Sequence, residues 1–406
     1  MNEHLPQWFR FSGEYRVRLE GLDGIGFRPD NRDAYALGRL RLNVTLKPAS
    51  WLKFQLQGQD AQIAGANAPK PDAPPFEDTM DLRMAYAEIG DPENQTFGLR
   101  AGRQELAFGE QRLAGHVSWL NTARAFDAIR ATYRRDGVRV DAFAASVVNV
   151  REGESNKRAA GNNFHGMYAV LNKLVPKASV EPFVFWRLAP RLRTEAGVSG
   201  SLDFKTAGLR LAGKLPAGFD YGMEAAVEKG SLASDDVSAW ASHWVLGYTM
   251  AKTRTTPRLI AEYNFASGDK NPADGIKGTF DQLYPTPHDK YGLSDQVSWK
   301  NIHHVRAGVE LKPSPKVSVT ANYHSSWLAN VNDGLYNAGG AVIARAPAGS
   351  AGKHVGQELD AQAVFAVSGQ VQLAGGYAHI FPGTFLMKAT PGKAYKFPYV
   401  MITYFF

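Results

Sequence analysis

The feature that most constrains this chain is a two-residue alternation that returns along its whole length. From Phe9 to Glu20 the odd positions read Phe9, Phe11, Gly13, Tyr15, Val17 and Leu19. The even positions read Arg10, Ser12, Glu14, Arg16, Arg18 and Glu20. Leu40, Leu42, Val44 and Leu46 alternate with Arg39, Arg41, Asn43 and Thr45, and Val317, Val319, Ala321 and Tyr323 with Ser318, Thr320, Asn322 and His324. A period of two is that of a strand with one apolar and one polar face. About eighteen such segments recur, each roughly 9–14 residues long, the length of a tilted strand that crosses a bilayer. They span 8–20, 34–47, 51–62, 80–90, 96–106, 123–135, 137–150, 163–174, 179–188, 203–214, 218–228, 240–251, 256–266, 299–311, 315–326, 356–366, 370–381 and 397–406.

No apolar run reaches the roughly 18 residues that a membrane helix needs, and mean hydropathy is only −0.30. A barrel has that average, because only every second residue meets lipid. The connections add a second signal by alternating short and long. Lys47–Ser50, Asp91–Asn94, Arg135–Gly137, Pro216–Gly218 and Val367–Gly369 are short and built from turn formers. The stretches 63–79, 107–122, 267–298 and 327–355 are long. A soluble sandwich has no reason to sort its loops by parity; a membrane barrel has short turns on the periplasmic side and long loops outside. The expectation is an all-β, antiparallel transmembrane barrel of about eighteen strands. Residues 1–406 form one barrel domain, both termini are periplasmic and the location is the cell outer membrane. The last strand ends Tyr404-Phe405-Phe406, and Met1-Asn2-Glu3-His4 runs directly into the first segment, as in a mature chain behind an added start methionine.

A barrel of this width is too wide for strand side chains to fill, which predicts an aqueous channel. Its polar faces are rich in arginine: Arg39, Arg41, Arg83, Arg100, Arg130, Arg187, Arg258 and Arg306, with Arg10, Arg16, Arg18 and Arg139 beside them. A charge facing lipid costs about 2–4 kcal/mol at the midplane, so these face the lumen. Glu14, Glu88, Glu105, Asp127, Glu262 and Glu310 supply acidic partners. Two readings stay open: a lattice of ion pairs that stiffens the wall, and a ladder of guanidinium forks for passing carboxylates. Trp51, Trp119, Trp186, Trp240, Trp244, Trp299 and Trp327 lie near strand ends, where interfacial girdles belong.

Four segments, Leu82–Gly90, Gly102–Arg112 with Arg124–Arg130, Glu262–Asp269 and Gly278–Trp299, together resemble the alginate export family of outer-membrane barrels. The resemblance implies an eighteen-stranded pore with an electropositive lumen that passes an anionic polysaccharide or related solute by diffusion. It carries over Arg83, Arg103, Glu105, Arg112, Arg124, Asp127 and Arg130 as residues expected to line the pore or bind the solute. Of these, Arg103, Glu105, Arg124 and Asp127 are expected to form a buried charge network bracing the loop after the fifth strand. Exporters of this type are expected to carry an extended periplasmic turn near the C-terminal strands. Here Val367-Ser368-Gly369 is minimal, so constriction falls to the outer loops, 63–79 and 107–122 first.

Other chemistry finds less support. The chain has no cysteine, which excludes thiol catalysis and cysteine-ligated metals. Asp269, Asn271 and Asp274 put oxygen ligands on a glycine-containing loop that could hold calcium, but they lack EF-hand spacing and its closing Glu. His303 and His304 point to opposite faces and cannot share a metal. No serine sits in a nucleophile elbow, and no basic-aromatic patch suggests nucleic acid. The chain is therefore expected to have no catalytic residue and no cofactor. Its expected partners are membrane lipid, lipopolysaccharide and an anionic carbohydrate or small organic acid, and it is expected to be a monomer. Three functions stay open: a channel for uronate-type poly- or oligosaccharides, a general or small organic-acid porin, and a barrel enzyme or adhesin with an occluded lumen.

Overall fold

A computed structural model describes residues 5–66, 76–91, 95–194, 197–346 and 349–406. Eighteen antiparallel strands run in sequence order: β1 (Phe9–Asp23), β2 (Arg32–Ala49), β3 (Leu52–Ala64), β4 (Asp78–Ile89), β5 (Phe97–Gln104), β6 (Phe126–Arg135), β7 (Val138–Asn149), β8 (Lys157–Val175), β9 (Ala178–Arg193), β10 (Ser199–Lys214), β11 (Phe219–Leu232), β12 (Asp235–Thr249), β13 (Arg258–Ala266), β14 (Ile302–Ser314), β15 (Val317–Leu328), β16 (His354–Ala366), β17 (Val371–Pro382) and β18 (Tyr395–Phe405). A nineteenth member of the sheet is the two-residue Ile276–Lys277, alongside β12. The alternating segments found in the sequence all become strands. Several extend further at one end, because a strand rising past the bilayer no longer needs an apolar face.

Each strand pairs with its sequence neighbours, and β1 pairs with β18 through Tyr15↔Tyr404 and Val17↔Ile402. Closure removes every free edge, which hydrocarbon would leave without hydrogen-bond partners. The seam is sealed by reciprocal bonds: the Gly13 N–H donates to the Phe406 carbonyl at 2.8 Å, and the Phe406 N–H to Gly13 at 3.0 Å. Gly13 must be small here, since an added Cβ would sit 2.4 Å from the Phe406 ring and 2.8 Å from the Arg41 carbonyl.

The distribution of polarity is inverted relative to a soluble protein. Leu19, Leu56, Leu99, Ile129, Val227 and Ile402 are exposed, while Arg16, Arg39, Glu181, Glu262 and Asp360 are buried inside. Among the described residues no helix is long and apolar enough to cross a membrane; the strands do so. The turns β2–β3, β6–β7, β8–β9 and β14–β15 are tight and share one end with both chain termini, hereafter the turn end. The connections 105–125, 267–301 and 329–353 leave from the opposite, loop end. A short helix, α1 (Thr384–Ala389), lies in the β17–β18 connection at that end.

Two expectations need correction. Trp119 and Trp299 do not belong to an outer girdle. Trp299 is fully buried, and Trp119 lies inside the barrel between Arg18 and His288. Both sit on connections that fold inward, so nearness to a strand end did not mean nearness to the interface. The inner wall is also not polar throughout. Phe126, Phe143, Phe164, Phe183, Phe185 and Phe204 line β6–β10 and pack against Phe108, Leu113 and Tyr284 of the inward loops. Gly13→Val should overpack the seam by about 1–3 kcal/mol. Heat-shifted gel migration should show a reduced fraction of closed barrel.

Candidate functional site

The lumen is narrowed by two connections that interlock. The first, 105–125, leaves β5 and runs inward. Phe108 stacks on Phe143 and Tyr168, with ring centroids 5.3 and 5.2 Å apart. Glu110 then meets Arg210 of β10 at 3.0 Å, and Arg112 meets Glu262 of β13 at 3.1 Å and the Tyr291 hydroxyl at 3.2 Å. The chain next turns back across the lumen to β1 and β2, where its carbonyls meet a bank of arginines. The Ser118 carbonyl accepts from Arg39 at 2.8 Å and Arg16 at 3.1 Å. The Trp119 carbonyl accepts from Arg18 at 2.6 Å and Arg16 at 3.2 Å. The Arg18 guanidinium also lies 3.7 Å over the Trp119 ring. Main-chain carbonyls outside a sheet need donors, and these guanidinium forks provide them.

The second connection, 267–301, runs alongside the first. The Tyr284 N–H donates to Leu113 at 2.9 Å, the Gly115 N–H to Tyr284 at 2.7 Å and the Thr286 N–H to Gln111 at 2.8 Å. Arg124 ties both together by donating to the carbonyls of Gly115 and Pro285, each at 2.9 Å. Gly115 is required by this contact: a Cβ would stand 2.3 Å from Thr286 Oγ1 and 2.8 Å from Gln111. The far side of this loop is held to the wall. Arg187 of β9 contacts both Asp281 oxygens at 2.7 Å. The N–H groups of Leu293 and Ser294 donate to Asp360 and Glu358 of β16.

The loop charges titrate far from neutrality. Burial would raise the Glu110 carboxyl, but Arg112, His243 and Arg210 bring it down to about 2. Burial likewise opposes the Asp281 charge, and Arg187, Lys300 and Lys277 hold it well below the ordinary carboxylate range. Burial draws the Arg124 guanidinium down to about 10, Tyr284 opposing and Arg187 adding to the fall, so it stays a cation at neutral pH.

The wall itself is divided. On β1–β7, three inward carboxylates each sit between two cations, while among the described residues Glu20 pairs with Arg18 alone. Glu14 is shared by Arg39 and Arg41, Glu88 by Lys53 and Arg100, and Asp141 by Arg130 and Arg139. Across the lumen, β9–β16 present Glu181, Glu224, Glu228, Glu262, Glu358 and Asp360, all buried. Toward the turn end the lumen opens into a recess of about 690 Å³ lined by Lys177, Arg210, Lys214, Asp220, Tyr221 and Arg258.

Comparison with known proteins fits this geometry. The sequence profile named Alginate export matches residues 7–399, nearly the whole chain. The chain belongs to the alginate export family. No curated protein sequence matches it. Among solved structures it is similar to Pseudomonas aeruginosa OpdQ, at 11% identity and TM-score 0.66, covering 99% of each chain. It is also similar to OccK5 (OpdH), at 10% identity and TM-score 0.65, covering 97% of each. OccK11 (OpdR) of the same organism gives 12% identity and TM-score 0.64, covering 98% of this chain and 95% of that one. At such identities the likeness is one of fold. This alginate export family member is an outer-membrane β-barrel channel and not an enzyme.

The sequence-chosen residues of this family member fall into three groups. Arg39, Arg41, Arg83, Arg100, Arg130, Arg187, Arg258 and Arg306 face the lumen. Arg83 pairs with Glu105 and Gln57, Arg258 with Asp220 and Glu310, and Arg306 with Glu262. Arg112 and Arg124 hold the inward loops. Arg103 and Asp127 pair at 2.8 Å, but on the outward face: they share the parity of Leu99 and Ile129. The expected four-residue network is therefore split. Strand alternation turns Arg103 and Asp127 away from the lumen. The chain leaves the strand at Glu105, freeing that side chain to turn back to Arg83. Arg124 braces the loop through carbonyls rather than carboxylates.

Of the two loops expected to constrict the lumen, 107–122 lies inside it. Residues 67–75 of the other lie outside the described residues, and the Phe76 carbonyl accepts from Asn121 at 3.0 Å. The loop 267–298 was not singled out, although its motif is the longest of the four. Arg210, Glu110, Trp119 and Tyr284 were missed as parts of the site. Asp269, Asn271 and Asp274 do not converge; each accepts from a nearby backbone N–H of its own loop. Among the described residues no group of three His, Asp or Glu could hold a metal.

Gly115→Val should force the two loops apart at a cost of about 1–3 kcal/mol, seen as larger and noisier single-channel currents. A carboxylate with a depressed folded pKa stabilises above its unfolded value and loses that stabilisation as pH falls through the folded one. Glu110 therefore anchors its loop fully above pH 4.5 and progressively less toward about 2. The difference in conductance between the unaltered channel and Glu110→Gln should therefore persist from pH 8 to 5 and shrink only in stronger acid.

Proposed function

We propose that this channel passes anionic solutes by diffusion, uronate-type poly- or oligosaccharides first among them. The observation that carries the reading is the pairing of two cations to one carboxylate along β1–β7, around Glu14, Glu88 and Asp141. Arginines balanced one to one would only stiffen the wall; an excess leaves positive potential for a passing anion. Among the described residues, Arg41 Nη2 and Arg83 Nε have no hydrogen-bond partner, which adds uncommitted donors to that excess. The family's name points the same way.

A small organic-acid porin is favoured by a different observation: the interlocked loops narrow the lumen. The recognition chemistry is shared, and a size cutoff separates the two. In this reading the turn end, with both termini, faces the periplasm, because it carries the tight turns while the long connections leave from the other end. In the same reading the barrel acts as a monomer. Exposure of a tag at residue 1 to protease only after outer-membrane rupture checks the orientation.

In planar bilayers under a salt gradient, the channel should show an anion-selective reversal potential. Arg41→Ala and Arg130→Ala should each move it toward zero without loss of the closed barrel, and uronate oligomers should block the current. Unchanged reversal potentials in both variants would overturn the reading; passage of monomeric organic acids alone would favour the porin.

A further inference from the structure

The outward face of β6–β12 carries a feature that a passive barrel wall does not need. One hydrogen-bonded row crosses it: Ile129 faces Ala144, which faces His165, then Trp186, Lys205, Lys229 and Ser238 in turn. Two lysines are thus direct cross-strand partners on an exposed surface. Like charges directly opposite destabilise a sheet unless something lies between them. Among the described residues no carboxylate pairs with either. The Lys205 ammonium lies 5.3 Å over the Trp186 ring, and Lys229 donates to Ser238 at 2.7 Å. Two acids flank the pair one step toward the loop end, Asp203 and Asp236, both in register with Ser231; Asp203 accepts from the Trp186 indole N–H at 2.7 Å. On the same row His165 Nδ1 is buried without a partner.

Below this row, toward the turn end, the wall is hollowed. Ala131, Ala142 and Gly166 form the floor of a recess of about 600 Å³, walled by Met167, Val184 and Trp186, with Lys205 at its rim. A second recess of about 600 Å³ shares Ala131 and Ala142 and continues to Trp51, Phe97 and Tyr133. The pair makes an apolar trough running most of the way down the lipid face, capped at its loop end by cations. In a bilayer an apolar groove has no hydrophobic preference for one occupant over another, since lipid tails are as apolar as its walls. The charge at the cap makes the choice.

We propose that this trough is a binding site for a phosphorylated outer-leaflet glycolipid of the lipid A type. One acyl chain lies along Ala131, Ala142 and Gly166, and a phosphate is held between Lys205 and Lys229 beside His165. The proposal rests on the orientation given above only for the choice of leaflet. Trp186 fixes the depth, at the level where aromatic rings meet headgroups.

The test uses the full chain in detergent, where orientation plays no part. Native mass spectrometry with added bisphosphorylated lipid A should show one lipid retained per barrel. In K205Q/K229Q its affinity should fall at least tenfold, and Ala142→Phe, which fills the floor, should lower it comparably while the heat-shifted band persists. With the unaltered chain, lipid A should shield the Lys205 and Lys229 amines from an amine-reactive reagent, and inorganic phosphate should not. Equal retention by K205Q/K229Q, equal retention of phosphatidylglycerol, unshielded lysines, or a second copy of the chain in place of lipid would each overturn it.

Discussion

Every strand N–H and C=O that meets hydrocarbon must find its partner in the adjacent strand, because nothing else at that depth can bond to it. That requirement closes β1 onto β18, and closure decides the rest. A closed sheet has one face for lipid and one for the lumen, so within the membrane the polar residue of each alternating pair points inward. Eighteen strands enclose more space than strand side chains fill. The long connections supply the filling, and they bring main-chain polar groups that need partners of their own.

The inward arginines therefore do two things. Arg16, Arg18 and Arg39 spend donors on the carbonyls of Ser118 and Trp119, and Arg124 on Gly115 and Pro285. These are structural bonds. The arginines of β4–β7 meet carboxylates instead, often two to one. Ion pairs and loop bonds are thus sorted by position: guanidinium groups facing loop backbone hold the constriction, and those meeting carboxylates brace the wall beside it. Opposite them Glu358 and Asp360 of β16 anchor the second loop through Ser294 and Leu293.

The strands were legible because alternation is local: Tyr15 and Arg16 declare their faces without reference to anything distant. The family was legible too, since its motifs are contiguous. The aromatic inner wall was not. In β7, Ala142, Phe143 and Ala144 are all apolar, and periodicity has no contrast there to show that Phe143 points inward. The interlock of 105–125 with 267–301 depends on pairings such as Ala114 with Tyr284, far apart in sequence and without periodic trace. Arg103 and Asp127 show the opposite failing. A motif drew them into the lumen, although counting parity from Leu99 and Ile129 would have placed them outside.

That interlock bears on how the molecule comes into being. The loop after β5 cannot reach its final shape against β5 and β6 alone, since Leu113, Gly115 and Arg124 take their partners from the connection between β13 and β14. Besides its stacking on β7 and β8 it contacts β1, β2, β10 and β13, which face one another only once the sheet has curled round. The constriction is therefore a late product of assembly. A half-inserted sheet has strands but no filter, and the passage narrows as β18 meets β1.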